Sequence, residues 1–120
     1  MLNRFGFFGD KPKAEAVAEV TSLRSDQPQE SEDRILKYLR SGKQIVAVAG
    51  LASDVLTGNI IGPPNVFTDG EWTWTSDAIH YVQQYHVRIP AEFKNHMESN
   101  NWQVPTVANP ESLVASSWTT

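Results

Sequence analysis

The stretch that decides the fold runs from Thr68 to Phe93 and reads TDGEWTWTSDAIHYVQQYHVRIPAEF. Near its start, Asp69-Gly70 is a dipeptide typical of the tight turn that closes a β-hairpin. The turn separates residues 65–67 from residues 71–74, and both segments contain residues that favour strands. We therefore expect these two segments to pair as antiparallel strands.

Two helices are predicted after this hairpin. Residues 75–77, with the sequence Thr-Ser-Asp, are suited to cap a helix, and the apolar residues after them recur at helical spacing. That apolar stripe consists of Ala78, Tyr81, Val82 and Tyr85. Pro90 suits the first turn of the next helix, on which Phe93 and Met97 lie one turn apart.

The segment before the hairpin predicts a helix joined to a strand. Ser31 is a suitable N-cap for a helix over residues 31–41, and Gly42 can supply the left-handed residue that ends it. Residues 44–49 are mostly apolar and include three β-branched residues, which favours a mostly buried strand. Residues 59–61 predict a further short strand within a loop interrupted by Gly and Pro.

These elements indicate a single α+β domain, in which a small, mostly antiparallel sheet is packed by about three helices. Residues 1–30 form a Phe-rich lead-in with a possible helix over residues 14–23 and a polar linker. Residues 31–105 form the globular core, with a last short strand expected over residues 102–104. Residues 106–120 form a loosely held tail.

The composition excludes several classes of protein. The chain has 120 residues, of which 40% are hydrophobic and 20% charged, as in a globular domain. Its net charge of -4 opposes binding to nucleic acid. No apolar run reaches the roughly 20 residues that span a bilayer, and the start of the chain lacks a signal-peptide pattern. We therefore expect a cytoplasmic protein without a membrane partner, and the absence of cysteine excludes disulfides and thiolate chemistry.

The histidines are the natural starting point for an enzyme hypothesis, because imidazole titrates near neutral pH. We expect His80 on a helix surface one turn from Asp77, and His86 in a partly buried, hydrogen-bonded structural position. His96 has Glu92 as an i, i+4 partner. Because His80 and His86 do not share a helical face, no metal site is predicted. No sequence motif indicates a cofactor.

Two interpretations are open for the tryptophans of the predicted hairpin. Trp72 and Trp74 are two residues apart and so share one face of a strand. They either form core beneath the helices or present an exposed aromatic platform to a protein partner.

A longer pattern resembles one found in small uncharacterised bacterial proteins, some of which lie beside polymorphic toxins as presumed immunity proteins. The pattern is Thr68-Asp-Gly-x-Trp-x-Trp, then Asp77, Tyr81-Val82, Tyr85-x-Val87 and Pro90-x-x-Phe93. The resemblance covers residues 31–105 and implies a binding protein. It implies no catalytic residue.

Two classes of function follow. The first is an immunity-type protein that neutralises a cognate, cationic toxin by stoichiometric binding through an acidic and aromatic surface. The candidate contact residues are Asp69, Glu71, Trp74, Asp77 and His80, which lie at the hairpin turn, the strand and the helix start. The alternative is a small enzyme or ligand-binding domain that uses His80 and nearby acidic residues.

Overall fold

The computed structural model of the chain describes residues 3–8 and 11–107. Within these residues the helices are α1 Lys13–Leu23, α2 Glu32–Arg40, α3 Ser76–Tyr85 and α4 Ala91–Ser99. The strands are β1 Asn3–Phe5, β2 Lys43–Val46, β3 Ala52–Ser53, β4 Ile60–Gly62, β5 Val66–Thr68 and β6 Trp72–Thr75. In this part of the chain, no helix has both the length and the apolar character needed to cross a membrane.

The strands form one larger sheet and one separate hairpin. The larger sheet has the order β1-β6-β5-β2, and β3 pairs with β4 in the separate hairpin. β2, β5 and β6 are antiparallel neighbours, whereas β1 lies parallel to β6. The predicted α+β class with a mostly antiparallel sheet is therefore confirmed, and β1 adds one parallel strand from the N-terminal segment.

The predicted hairpin around Asp69-Gly70 is confirmed as β5 and β6. Gly70 has a φ of 102°, a left-handed value that costs glycine little because it has no Cβ. The hydroxyl of Thr68 donates to the Trp72 carbonyl at 2.7 Å and accepts from the Gly70 amide at 3.0 Å. The turn is therefore closed by side-chain as well as backbone hydrogen bonds.

Both tryptophans of β6 lie in the hydrophobic core, so the core interpretation is confirmed and the exposed platform is wrong. Trp72 is 7% exposed and Trp74 is 0% exposed. Trp72 stacks on Phe93 of α4, with ring centroids 4.3 Å apart and an angle of 7° between the planes. The indole nitrogen of Trp74 donates to the Leu39 carbonyl at 2.9 Å, which satisfies its one polar atom inside the core.

The opposite face of β6 is also buried, although alternation of Trp with Thr is typical of a strand with one wet face. Thr73 is 0% exposed and Thr75 is 4% exposed. The N-terminal segment supplies part of this cover, because the amide of Phe7 donates to the Thr75 hydroxyl at 3.1 Å. Beside it, the ring of Phe8 meets that of Tyr81 edge-on, with centroids 4.8 Å apart.

The hydrophobic core extends into the N-terminal segment. The possible helix over residues 14–23 is confirmed as α1, and its Ala16 and Val20 are fully buried. Phe5 and Phe8 join the same core cluster. Of the predicted tail, residues 108–120 lie outside the described residues.

The ends of two helices differ from the sequence-based expectation, although α2 and α3 themselves are confirmed. Ser31 has a φ of 61° and makes no capping hydrogen bond with its side chain. Gly42 is not left-handed; it is required because a Cβ there would overlap the ring of Trp74. Thr75 does not cap α3 with its side chain, since its hydroxyl accepts the Phe7 amide.

The strand expected over residues 102–104 is wrong. Asn101 and Trp102 have φ values of 56° and 59°, which are left-handed and incompatible with a strand. The chain turns sharply there as α4 ends, and the amide of Trp102 donates to the Met97 carbonyl at 2.9 Å.

Candidate functional site

The predicted contact residues do not form one surface. Trp74 is 0% exposed, Asp69 is 3% exposed and Asp77 is 2% exposed, so these three cannot contact a partner. Glu71 is accessible over 72% of its side chain. His80 is accessible over 27% of its side chain, but its imidazole contacts Asp54, which is not one of the predicted contact residues. The predicted acidic and aromatic surface is therefore corrected to two separate accessible residues.

Asp69 is buried because it organises the turn of the β5–β6 hairpin. Its Oδ1 accepts the amides of Glu71 at 2.9 Å and Trp72 at 2.8 Å, as in an Asx turn. Its Oδ2 accepts the Tyr38 hydroxyl at 2.6 Å and lies 2.8 Å from Nε2 of His96. We call Asp69, Tyr38 and His96 the Asp69 cluster. The cluster joins the hairpin to α2 and α4, so the Thr-Asp-Gly-x-Trp motif has a structural role here.

The predicted pairing of His96 with Glu92 is wrong, because the imidazole turns towards the hairpin. Its Nε2 contacts Asp69, and its Nδ1 lies 3.1 Å from Oε2 of Glu71. Burial and the hydrogen bond to Asp69 raise the pKa of Tyr38 well above its ordinary value. Tyr38 therefore remains a neutral donor to the carboxylate.

A second aspartate, Asp54, repeats this arrangement after β3. Its Oδ1 accepts the amides of Leu56 at 2.8 Å and Thr57 at 3.3 Å. Its Oδ2 accepts the Tyr85 hydroxyl at 2.7 Å and lies 2.8 Å from Nε2 of His80. We call Asp54, Tyr85 and His80 the Asp54 cluster. It joins the β3–β4 hairpin to α3.

The predicted pairing of His80 with Asp77 is wrong, since Asp54 is its partner. Burial alone raises the pKa of the Asp54 carboxyl, but hydrogen bonds from His80 and Tyr85 outweigh burial and lower this pKa below its ordinary value. The same hydrogen bond to Asp54, with burial, raises the pKa of Tyr85. Asp54 is therefore ionised at neutral pH, while Tyr85 is a neutral donor.

Tyr81 provides a second connection between α3 and the β3–β4 hairpin. Its hydroxyl accepts the Val55 amide at 3.0 Å and donates to the Ser53 carbonyl at 3.3 Å. Burial raises the pKa of Tyr81 to about 12, and the charge of Asp77 adds to this rise against the lowering effect of the Val55 amide. The phenol therefore keeps its proton, and both hydrogen bonds, at neutral pH.

The β3–β4 hairpin also carries the large hydrophobic side chains that the described residues expose. Leu51, immediately before β3, is 62% exposed, and Ile60, the first residue of β4, is 68% exposed. Residues 57–59, between the two strands, are exposed as well. We call residues 51–60 the apolar hairpin. The short strand predicted over residues 59–61 is confirmed as β4, whereas its pairing with β3 was not predicted. The available signal for this hairpin is an Asp followed by the turn sequence Thr-Gly-Asn.

The prediction for His86 is confirmed. Its Nδ1 lies 2.8 Å from Oε2 of Glu32, and its side chain is 24% exposed. The contact joins the end of α3 to the start of α2. Each histidine therefore contacts a buried carboxylate from another element, so no histidine is a simple surface residue.

Burial changes what the acidic composition means for binding. The buried acids of the described residues are Glu32, Asp54, Asp69 and Asp77. Every lysine and arginine in the same part of the chain is at least partly exposed. The accessible surface is consequently less acidic than the net charge of -4 indicates.

Among the described residues, no group of three or more His, Asp or Glu residues is arranged to hold a metal ion. Comparisons with protein-family models, curated proteins and solved structures find no match to this chain. The resemblance to toxin-associated proteins stays a prediction.

Proposed function

We propose that this chain is a protein-binding module whose apolar hairpin inserts Leu51 and Ile60 into an apolar site on a partner. The exposure of these two side chains, 62% and 68%, is the observation that carries the proposal. Burial of a large apolar side chain is favourable by about 1.5–3 kcal/mol relative to leaving it in water. A partner that covers the hairpin gains this free energy.

The way the apolar hairpin is held strengthens the proposal. Asp54 accepts hydrogen bonds from two loop amides and from Tyr85, while Tyr81 contacts the backbone on either side of Asp54. A loop that is already ordered loses little conformational entropy when it binds. The backbone between Leu51 and Ile60 is therefore held in place before a partner binds.

The finer proposal is an immunity-type protein that neutralises a cognate bacterial toxin in the cytoplasm by stoichiometric binding. Its support is the resemblance carried by the Thr68–Phe93 motif. The net charge of -4 favours long-range attraction to a cationic toxin. The contact itself is mainly apolar, because Asp69 and Asp77 are buried and Glu71 is the accessible acid of the predicted set.

The test is whether this chain protects bacteria against the product of a gene beside its own, which we expect to be a toxin. We expect Leu51→Ser combined with Ile60→Thr to abolish protection and binding while the thermal midpoint stays the same. Ala18→Ser, on the exposed side of α1, is a control for a polar substitution at an exposed site and should protect fully. Full protection by the double variant would reject the apolar hairpin as the contact.

The alternative function is a small enzyme that uses His80. Its support is the His80–Asp54 contact at 2.8 Å, in which a carboxylate orients an imidazole as in general-base sites. Titration of purified toxin separates the two functions. A binder inhibits up to an equimolar end point, whereas inhibition by much less than equimolar protein would establish turnover and overturn the binding proposal.

A further inference from the structure

A second surface lies along α2. It carries positive charges, whereas the predicted partner surface was acidic. Arg34, Lys37 and Ser41 line one side of an open groove of about 510 Å³, and residues 101–104 line the other side. We call it the α2 groove. It is separate from the apolar hairpin in sequence, and its accessible charged side chains are cations.

The two cations of the α2 groove are available to a ligand. Arg34 and Lys37 are three residues apart and so lie on the same side of the helix, and both are exposed. Within the described part of the chain, neither forms an ion pair with a carboxylate. Lys94, by comparison, lies 3.7 Å from Glu30.

The far wall of the α2 groove contributes an indole ring. Trp102 is only partly buried, and the guanidinium of Arg34 lies 5.9 Å from the centre of its ring. Trp102 has a φ of 59°, which is uncommon for a bulky residue and marks a conformation that the surroundings impose. The turn is held by backbone hydrogen bonds, including the one that the Gln103 amide donates to the Asn100 carbonyl at 3.1 Å. A cation pair and an aromatic ring thus face one cavity.

We propose that the α2 groove binds an acidic polypeptide segment, in which a carboxylate lies next to an aromatic side chain. The guanidinium of Arg34 matches a carboxylate in a two-point hydrogen bond, and Lys37 adds a second positive charge. Trp102 offers a surface on which the neighbouring aromatic side chain stacks. A nucleic acid is disfavoured, because the chain as a whole has a net charge of -4 and phosphate backbones are recognised by larger clusters of cations.

The experiment uses fluorescence anisotropy with the full chain and a labelled peptide in which glutamates flank a single tyrosine. We expect saturable binding that weakens as salt is raised. Arg34→Gln with Lys37→Gln should weaken binding by about tenfold or more. Lys13→Gln with Lys94→Gln removes the same charge elsewhere and should leave binding unchanged.

Two further measurements test the role of the indole ring and the folding of the variants. Trp102→Leu retains both cations, and we expect it to weaken binding of the tyrosine peptide more than that of a peptide with alanine in its place. Circular dichroism of each variant checks that the fold is retained. Equal binding of a peptide with glutamine in place of glutamate, equal loss in the Lys13 and Lys94 control, or tighter binding of oligothymidine would each overturn the proposal.

Discussion

The Asp69 cluster and the Asp54 cluster use the same chemistry in two places. In both, one carboxylate oxygen accepts hydrogen bonds from two backbone amides, while the other contacts a tyrosine hydroxyl and a histidine Nε2. The Asp69 cluster lies under the central hairpin, whose two tryptophans are core. The Asp54 cluster lies under a hairpin whose Leu51 and Ile60 are exposed.

Under the proposed function, this difference separates a hairpin that serves the core from a hairpin that binds a partner. The hairpin held by Asp69 buries its large side chains in the hydrophobic core, so those side chains are not accessible to a partner. The hairpin held by Asp54 is equally well connected to a helix, but its apolar side chains face water. A connected hairpin with exposed anchors is the arrangement expected of a binding element.

The largest expected effect on stability comes from removing the carboxylate of Asp69. Asp69→Ala leaves the Tyr38 hydroxyl and two hairpin amides without an acceptor, so we expect a loss of about 3–5 kcal/mol in the free energy of unfolding. Chemical denaturation measures it. Glu71→Ala, which removes the exposed carboxylate near His96, should change stability by at most about 0.5 kcal/mol. Equal losses would show that burial does not distinguish the two carboxylates.

The second largest expected effect is a loss of stability at alkaline pH. The pKa of Tyr81 is raised from 10.0 to about 12, so the neutral phenol stabilises the fold. This contribution is fully present below pH 10.0 and is lost as pH rises through about 12. A shift of this size corresponds to about 2–3 kcal/mol. Denaturation at increasing pH should show the loss in the natural sequence and less of it in Tyr81→Phe.

Removal of the carboxylate under the apolar hairpin should cost less than removal of Asp69. We expect Asp54→Ala to lower the free energy of unfolding by about 1–3 kcal/mol. Asp54 is as buried as Asp69, but its partners Thr57 and Tyr85 are at least partly exposed, so water can replace the lost acceptor. Amide hydrogen exchange of residues 52–61 should accelerate. Asp54→Asn keeps an acceptor oxygen for Leu56 and Thr57 and should accelerate exchange less. Unchanged exchange in Asp54→Ala would mean that the cluster does not order the hairpin.

Low pH should remove part of the stability that the Asp54 carboxylate contributes. The pKa of Asp54 lies below its ordinary value of 3.8, so its ionised form stabilises the fold. The contribution is present above pH 3.8 and is lost as pH falls through the lower value of the folded protein. We therefore expect the stability difference between the natural sequence and Asp54→Asn to shrink below pH 3.8. A constant difference would contradict this role of the charge.

The smallest effect on stability should come from the exposed anchors. Leu51→Ser and Ile60→Thr should each change the free energy of unfolding by about 0.5 kcal/mol or less, because neither side chain is buried. Thermal denaturation checks this. A loss of several kcal/mol in either variant would show that the side chain packs within the fold and would remove the contrast between the two hairpins.

Much of the fold could be predicted, because its signals are local. The Asp69-Gly70 turn, the stripe from Ala78 to Tyr85 and the proline that precedes α4 are all defined by spacing or by residue chemistry over a few positions. The exposure of the apolar hairpin could not be predicted in the same way. Both hairpins contain an aspartate in a turn, and nothing in the neighbouring residues says which hairpin will pack its apolar side chains inward.

The sequence by itself determined the α+β class, the central hairpin and the helices, since turn chemistry and apolar periodicity act between residues close in the chain. The tertiary structure alone decided the histidine partners. His80 contacts Asp54 across 26 residues, His96 contacts Asp69 across 27, and His86 contacts Glu32 across 54. It also decided that Asp69 and Asp77 are buried while Leu51 and Ile60 are exposed. Burial depends on which distant elements pack over a residue, and no local pattern contains that information.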